Sequence, residues 1–516
     1  MCYHRLGTEN RATLAAVNNL ATLLMEQGKP AEAEPLFRQN LESHRRLLGP
    51  EHGDTFTAEH NLARILEVRG KLAEAETLFR HSLESCRRVL GPEHPNTLIM
   101  VNNLAMFFRA QGKLAEAEPL LRQNLESHKR RLGPEHPGSL TAVDSLARLL
   151  QEREMLADAE QLYRQNLDAR RRLLGPEHPD TLQTLNNLAA VLQDRGKLSE
   201  AEPLFRQNLE NFRRTLGPEH PHALIAVDNL AQLLRVQRKW AEAEPLLRQN
   251  LENSRRILGP EHPDTLRVVN NLALLLQDQG KMAEAEPLFR QNLENSRRIL
   301  GQEHPKTLKA AHNLTALLAR DQQKMAEAET LLRQNLEAFR RLRDPEHPST
   351  LTAMNALGTL LMDRGKTAEA EPLLRETLRL RRKVLPASHR HIADSLAGLG
   401  AALLEKGQAE EAEPLLREAF EIRMRSLPKG DWHTSAAENL LGACCTALGR
   451  YAEAEPLLLG SYQALASAQG VLPKTLQQAL DRIVGLYETW GKLEKAATWH
   501  EERGQLIKSR VPLSAH

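Results

Sequence analysis

Apolar residues recur along this chain at steps of three and four, and the pattern restarts every 42 residues. In the copy from Gly175 to Leu216, one run carries Leu182, Leu185, Leu188, Ala189 and Leu192, and a second carries Leu198, Ala201, Leu204, Phe205, Leu209, Phe212 and Leu216. That spacing predicts two amphipathic helices, A and B, with Arg195-Gly196-Lys197 as the turn between them. Gly175 is expected to end the preceding helix in a left-handed conformation, with Pro176 preventing its continuation. Asp180 or Thr181 is expected to cap the next A helix.

An AEAE-like tetrad marks each copy, beginning at Ala31, Ala73, Ala115, Ala157, Ser199, Ala241, Ala283, Ala326, Ala368, Glu410 and Ala452, with a fainter copy at Glu494. Every step is 42 residues except that from Ala283 to Ala326, where RDQQKM lengthens the turn by one. A hairpin of this size cannot bury its apolar stripe alone, so neighbours must stack on it. The expectation is an all-α fold, an α-solenoid of about 12 tandem antiparallel hairpins forming a single array over residues 1–510. Units across 377–510 drift: GPEHP becomes PASH, then PKGDWHT, then QGVLPKT, and Trp432, Trp490 and Trp499 gather there. Drifting terminal units read as a solenoid cap, and the tryptophans as part of it or as an exposed contact site.

The recurring LNNLA (Leu185–Ala189), RGK (Arg195–Lys197), AEPL (Ala201–Leu204) and LGPEHPDT (Leu174–Thr181) resemble the tetratricopeptide repeat, in the 42-residue form of kinesin light chains and nephrocystin-type proteins. The resemblance covers roughly residues 10–500. It implies a right-handed superhelix whose A helices line a concave groove, and a function in holding protein or peptide partners. Motor or cytoskeletal association is implied by the resemblance only, and no heptad region precedes the array as it does in kinesin light chains.

By that resemblance Asn187 faces the groove, with Asn19, Asn61, Asn103, Ser145, Asn229, Asn271 and Asn313 at the same position of other copies; later copies carry Ala356, Gly398 and Leu440. A carboxamide donates and accepts, so a ladder of them could grip the backbone of an extended segment whatever its sequence. The competing reading is that these side chains bond neighbouring helices and set the repeat spacing. The preceding column (Asn18, His60, Asn102, Asp144, Asn186, Asp228, Asn270, His312) flanks the apolar stripe and suits bonds between repeats. Asn40, Asn124, Asn166, Asn208, Asn250, Asn292 and Asn335 lie on the inward side of the B helices, where a buried amide must be hydrogen-bonded.

Each copy also offers one histidine (His52, His94, His136, His178, His220, His262, His304, His347, His389). With adjacent hairpins roughly 10 Å apart, one ion cannot gather several of these, so the column is expected to fix the loop and to hold no metal. Paired arginines such as Arg213-Arg214 suit the carboxyl ends of the B helices, with Glu210, Glu252 and Glu294 four residues before Arg214, Arg256 and Arg298.

Charge narrows the function further. Lys and Arg total 69 and Asp and Glu 67, a net of +2, and aromatics are 4% of 516 residues. No excess charge or stacking platform calls for nucleic acid. No apolar run reaches membrane-spanning length and no secretory leader is apparent, so no membrane insertion and a cytoplasmic location are expected. The four cysteines have no metal-ligand or disulfide spacing, and Cys444-Cys445 reads as core. No nucleotide loop or hydrolase motif is present, so no enzyme activity and no cofactor are expected. The function read from the sequence is an adaptor or scaffold binding extended segments in its groove. The alternatives are a self-assembling structural solenoid and the regulatory array of a larger signalling protein.

Overall fold

The computed structural model of the chain describes residues 11–26, 30–342, 345–427, 430–468, 471 and 473–510. Among these are 24 α-helices, from Arg11–Glu26 to Leu493–Arg510, pairing in sequence as antiparallel A–B hairpins. An α-solenoid architecture follows from that order: from Arg11–Glu26 to Met282–Leu300, and again from Pro348–Asp363 to Leu493–Arg510, each helix packs on its neighbours in sequence. The chain falls into two compact units: Met1–Leu314 with Ala338–His347, and Thr315–Glu337 with Pro348–His516. The division passes through the eighth hairpin, the one whose turn carries the extra residue.

The fifth hairpin shows how the pattern becomes a core. The A helix Pro179–Asp194 buries Leu182, Leu185, Leu188, Ala189, Val191 and Leu192. The B helix Leu198–Leu216 buries Ala201, Phe205, Asn208, Leu209 and Phe212. Ala189 and Ala201 are fully buried where the two helices cross closely. At the position of Ala189 the later copies carry glycine, and a Cβ on Gly400 would stand 2.5 Å from Leu416 Cδ2. The first hairpin shows what stacking covers: Leu20 and Leu23 are each 49% exposed, whereas Leu62 and Ile65, one repeat later, are 3% and 0%.

The loop between hairpins is built differently from expectation. His178, rather than Asp180 or Thr181, is the N-cap: its Nδ1 accepts from the Asp180 N–H at 3.2 Å. His52, His94, His136, His220, His262, His304 and His389 repeat the contact. Asp431 takes over the role in the eleventh hairpin. The ring must therefore carry its proton on Nε2, and the column does fix the loop. The threonine three residues on ties the loop from the other side, as Thr97 Oγ1 donates to the Gly91 carbonyl at 2.8 Å. Gly175 has φ 89° and ψ 162°, positive but extended, not the left-handed helical cap expected. Only glycine adopts this backbone readily, which explains its recurrence at Gly91, Gly133 and Gly217.

Candidate functional site

The Asn187 column lies half-buried on the outer side of the A helices, apart from Asn19, which is exposed. Its amides bind the preceding hairpin. Asn61 Nδ2 donates to Asn18 Oδ1 at 2.8 Å, Asn229 to Asn186 at 2.7 Å, and Asn313 to Asn270 at 2.7 Å. Asn103 Nδ2 meets His60 Nδ1 at 3.2 Å, and Asn271 Nδ2 donates to Asp228 Oδ2 at 2.7 Å. Each rung spans 43 residues, joining the Asn187 column of one copy to the Asn186 column of the copy before. Asn187 itself accepts from Gln183 Nε2 at 3.0 Å. In the last hairpin Arg482 occupies the same rung, donating to Asn439 at 2.8 Å. One amide hydrogen sets the spacing of adjacent hairpins, while the other hydrogen and the carbonyl keep capacity for a further bond.

Two aspartates stand where the flanking column is otherwise amide or imidazole. Asp144 is bound by Arg170 at 2.8 Å and by Asn166 Nδ2 at 2.6 Å. Burial pushes its carboxyl up to about 6, against the pull of Arg170 and Asn166. Asp228 is held by Arg267 and Asn271, and burial again raises its pKa. The B-helix asparagines are buried and tie the two helices of one hairpin: Asn40, Asn166 and Asn250 donate to the carbonyls of Leu14, Leu140 and Leu224 at 2.7, 3.0 and 2.9 Å. They form intra-hairpin ties rather than a ladder running along the array.

The B-helix surface is occupied by ion pairs that sequence reasoning did not find. Glu160 is buried beneath Arg164 of its own helix (2.9 Å) and Arg195 and Lys197 (3.0 Å) from the next turn. Burial raises its pKa, but these three cations outweigh that and hold it down at about 2. The same clamp recurs at Glu34 with Arg38, Arg69 and Lys71, and at Glu329 with Arg333, Arg364 and Lys366. Its signal in the sequence was a glutamate kept in eleven successive copies, from Glu34 to Glu455. The expected helical pairs also differ: Arg214 and Arg256 reach Glu177 and Glu219 of the GPEHP loop, each at 2.5 Å, rather than Glu210 and Glu252. The carboxylate 37 residues earlier folds back beside the helix end, so the arginines brace the loop.

The exposed A-helix face behaves oppositely. At the position of Gln183 the copies carry Thr57, Ile99, Thr141, Ile225, Arg267 and Lys309; at that of Ala190, Arg64, Met106, Arg148, Gln232 and Leu274. Arg206, half-exposed on the B side, is arginine from Arg38 to Arg417, because it joins Glu202 at 2.8 Å to Glu242 at 2.6 Å. Exposure alone therefore does not explain which positions vary.

Toward the carboxyl end Trp432 packs on the buried Leu465, Leu476 and Ala479. Trp490 stacks on Tyr451 at 5.6 Å and Trp499 meets the edge of Tyr462 at 5.5 Å. All three tryptophans are half-buried. Cys86, Cys444 and Cys445 are buried, and burial pushes the Cys86 and Cys444 thiols up to about 11; Cys2 lies outside the described residues. Among the described residues no helix is long and apolar enough to cross a membrane.

Matches to the tetratricopeptide repeat cover residues 13–54, 57–96, 97–171, 142–214, 180–235, 222–275, 267–321, 315–383, 355–424 and 391–469. Similar solved structures include a kinesin light chain-like protein from Podosopora anserina with nearly identical TPR-like repeats. It is 30% identical over 40% of this chain and 97% of that one, with a TM-score of 0.36. A variant of that protein is 29% identical over 39% and 95%, also at 0.36. BtubC (BKLC) from P. vanneervenii is 20% identical over 44% and 91%, at 0.38. No curated protein matches the chain.

Proposed function

Because the chain belongs to the tetratricopeptide repeat family, we propose that it is a non-catalytic adaptor holding extended protein segments along the exposed face of its A helices. One observation carries this reading. Between near-identical copies, the B surface is kept for ion pairs between hairpins, whereas the A face changes side chain from copy to copy around a column that is amide in seven of the first eight copies, Ser145 being the exception. A surface that only had to stack would vary on both sides or on neither. The amides Asn61, Asn103, Asn229, Asn271 and Asn313 then serve twice, spacing the hairpins and offering their remaining bonding capacity to a bound backbone, with Asn19 and Asn187 offering theirs in the same row. The motor or cytoskeletal association implied by family likeness is no part of the proposal.

Site-specific photocrosslinking tests it. A photoreactive residue at Gln183 or Gln232 should capture protein partners from source lysate, and one at Gln207 on the B helix should not. Equal capture from Gln207 would refute an A-face site. Self-assembly has one observation in its favour, the open apolar face at Leu20 and Leu23. Light scattering that shows mass rising with concentration, and a constant mass for Leu20→Glu, would support it.

A further inference from the structure

The A face of the first compact unit is not uniform, and its pattern specifies the segment it would hold. This inference rests on the adaptor reading above. In the third hairpin Ile99, 52% exposed, and Met106 lie two turns apart on the outer side of the A helix Pro95–Ala110. In the sixth, Ile225 and Val236, the latter 47% exposed, lie three turns apart on Pro221–Val236, toward its two ends. The fourth and fifth hairpins between them present no large apolar side chain on this face: they carry Thr141 and Gln183 at the position of Ile99 and Ile225, Arg148 and Ala190 at that of Met106, and Glu152 and Asp194 at that of Val236.

Two charges between the apolar sites are answered only in part. Glu152 is bound by Arg109 at 2.5 Å, which leaves Arg148, 62% exposed and 3.9 Å from Glu152, with its positive charge largely unanswered. Among the described residues Asp194 accepts from the neutral Gln151 amide, at 2.6 Å, and joins no ion pair, so its negative charge also stands. In the sixth hairpin, by contrast, Arg235 is answered by Asp278 at 2.6 Å. The face therefore reads apolar, positive, negative, apolar across four successive hairpins.

We infer that this face takes an extended protein segment with two apolar residues about nine positions apart, an acidic residue a third of the way from the one seated at Ile99 and Met106, and a basic residue two-thirds of the way. The spacing follows from three hairpin steps of roughly 10 Å and an extended chain rising about 3.3 Å per residue. Such a partner is one specific sequence, not a polymer of identical units, since no two neighbouring hairpins offer the same subsite.

Selection of displayed random 16-residue peptides on the full chain, followed by fluorescence anisotropy, tests this. The expected binders carry the two apolar positions at that spacing, with an acid and a base between them. Ile99→Asp and Val236→Asp should each weaken binding about 10- to 100-fold, the range for losing a buried aliphatic contact. Arg148→Glu should weaken it too, and replacing the peptide's acid with lysine should restore it. All three positions are exposed, so circular dichroism should be unchanged. Peptides that crosslink to Gln183 or Gln232 but ignore Ile99→Asp and Val236→Asp would overturn the two-anchor inference and leave the adaptor reading standing. Peptides that crosslink only to Gln207, or a selection that yields no binder, would overturn both.

Discussion

The clamp on Glu160 makes a quantitative claim about what couples one hairpin to the next. Its carboxylate is 6% exposed and touches Arg164, Arg195 and Lys197. A pKa of about 2 against 4.5 for the free side chain corresponds to roughly 3 kcal/mol favouring the charged form in the fold. The cations are partly exposed, and solvent screening at them brings the net contribution to about 1–2 kcal/mol. The folded pKa is depressed, so this stability is complete above about pH 4.5 and is lost as pH falls from there toward 2. Glu160→Gln removes the charge at neutral pH, keeps the shape and leaves three cations facing one another. Since stacked repeats need not unfold in one step, the suitable assay is native-state hydrogen exchange, resolved by segment. Amides of the B helix Leu156–Leu174 and of the turn 195–197 should exchange about 5- to 30-fold faster, while hairpins far from the site should not change. Raising salt to about 1 M, where the screening length falls to about 3 Å, should narrow the difference. Glu210→Gln, on the exposed B surface, is the control. If Glu160→Gln exchanges no faster than Glu210→Gln, the clamp does not couple the hairpins.

Other consequences can be checked by melting and denaturation. Burial, helped by nearby positive charge, holds His389 and His60 at about 4 against 6.5. Their contribution is present above pH 6.5 and is lost as pH falls toward 4, so the melting temperature should drop between pH 7 and 5, before the carboxylate clamps titrate, and less in His60→Asn. Glu154 has φ 59° where most hairpin turns carry glycine, as at Gly196 with φ 74°. Glu154→Gly should therefore stabilise by about 0.5–1 kcal/mol, and a lowered denaturation midpoint would contradict this. Asn250→Ala removes the tie to the Leu224 carbonyl and should cost about 1–3 kcal/mol. Gly400→Ala should cost about 1–3 kcal/mol by overpacking Leu416, and an unchanged melting temperature would show that the helices can part there.

The hairpins were legible because a 3.6-residue period and a 42-residue restart are properties of the chain itself. Leu182, Leu185 and Leu188 could be assigned to the core without knowing what they touch. The Asn187 and Asn186 columns were also visible as columns, but not which would bond which. That depends on how far one A helix is displaced from the next, and the 43-residue rung is a consequence of that displacement. The Glu160 clamp was missed for a similar reason: its cations lie 35 and 37 residues on, and only stacking brings them together. Local rules misplaced other contacts. Asp180 and Arg214 were given the partners nearest in sequence, whereas the GPEHP loop folds so that His178 caps the helix and Glu177 reaches Arg214.

The sequence by itself determined the helices, their pairing into hairpins, the apolar stripes and the turns, because periodic burial and glycine's backbone freedom act within one copy. Tertiary structure alone decided how the exposed surfaces divide. Charged and amide side chains carry no mark of whether water or the next repeat will satisfy them, and only stacking the hairpins turns the B face into ion pairs and leaves Arg148 and Asp194 with charge to offer.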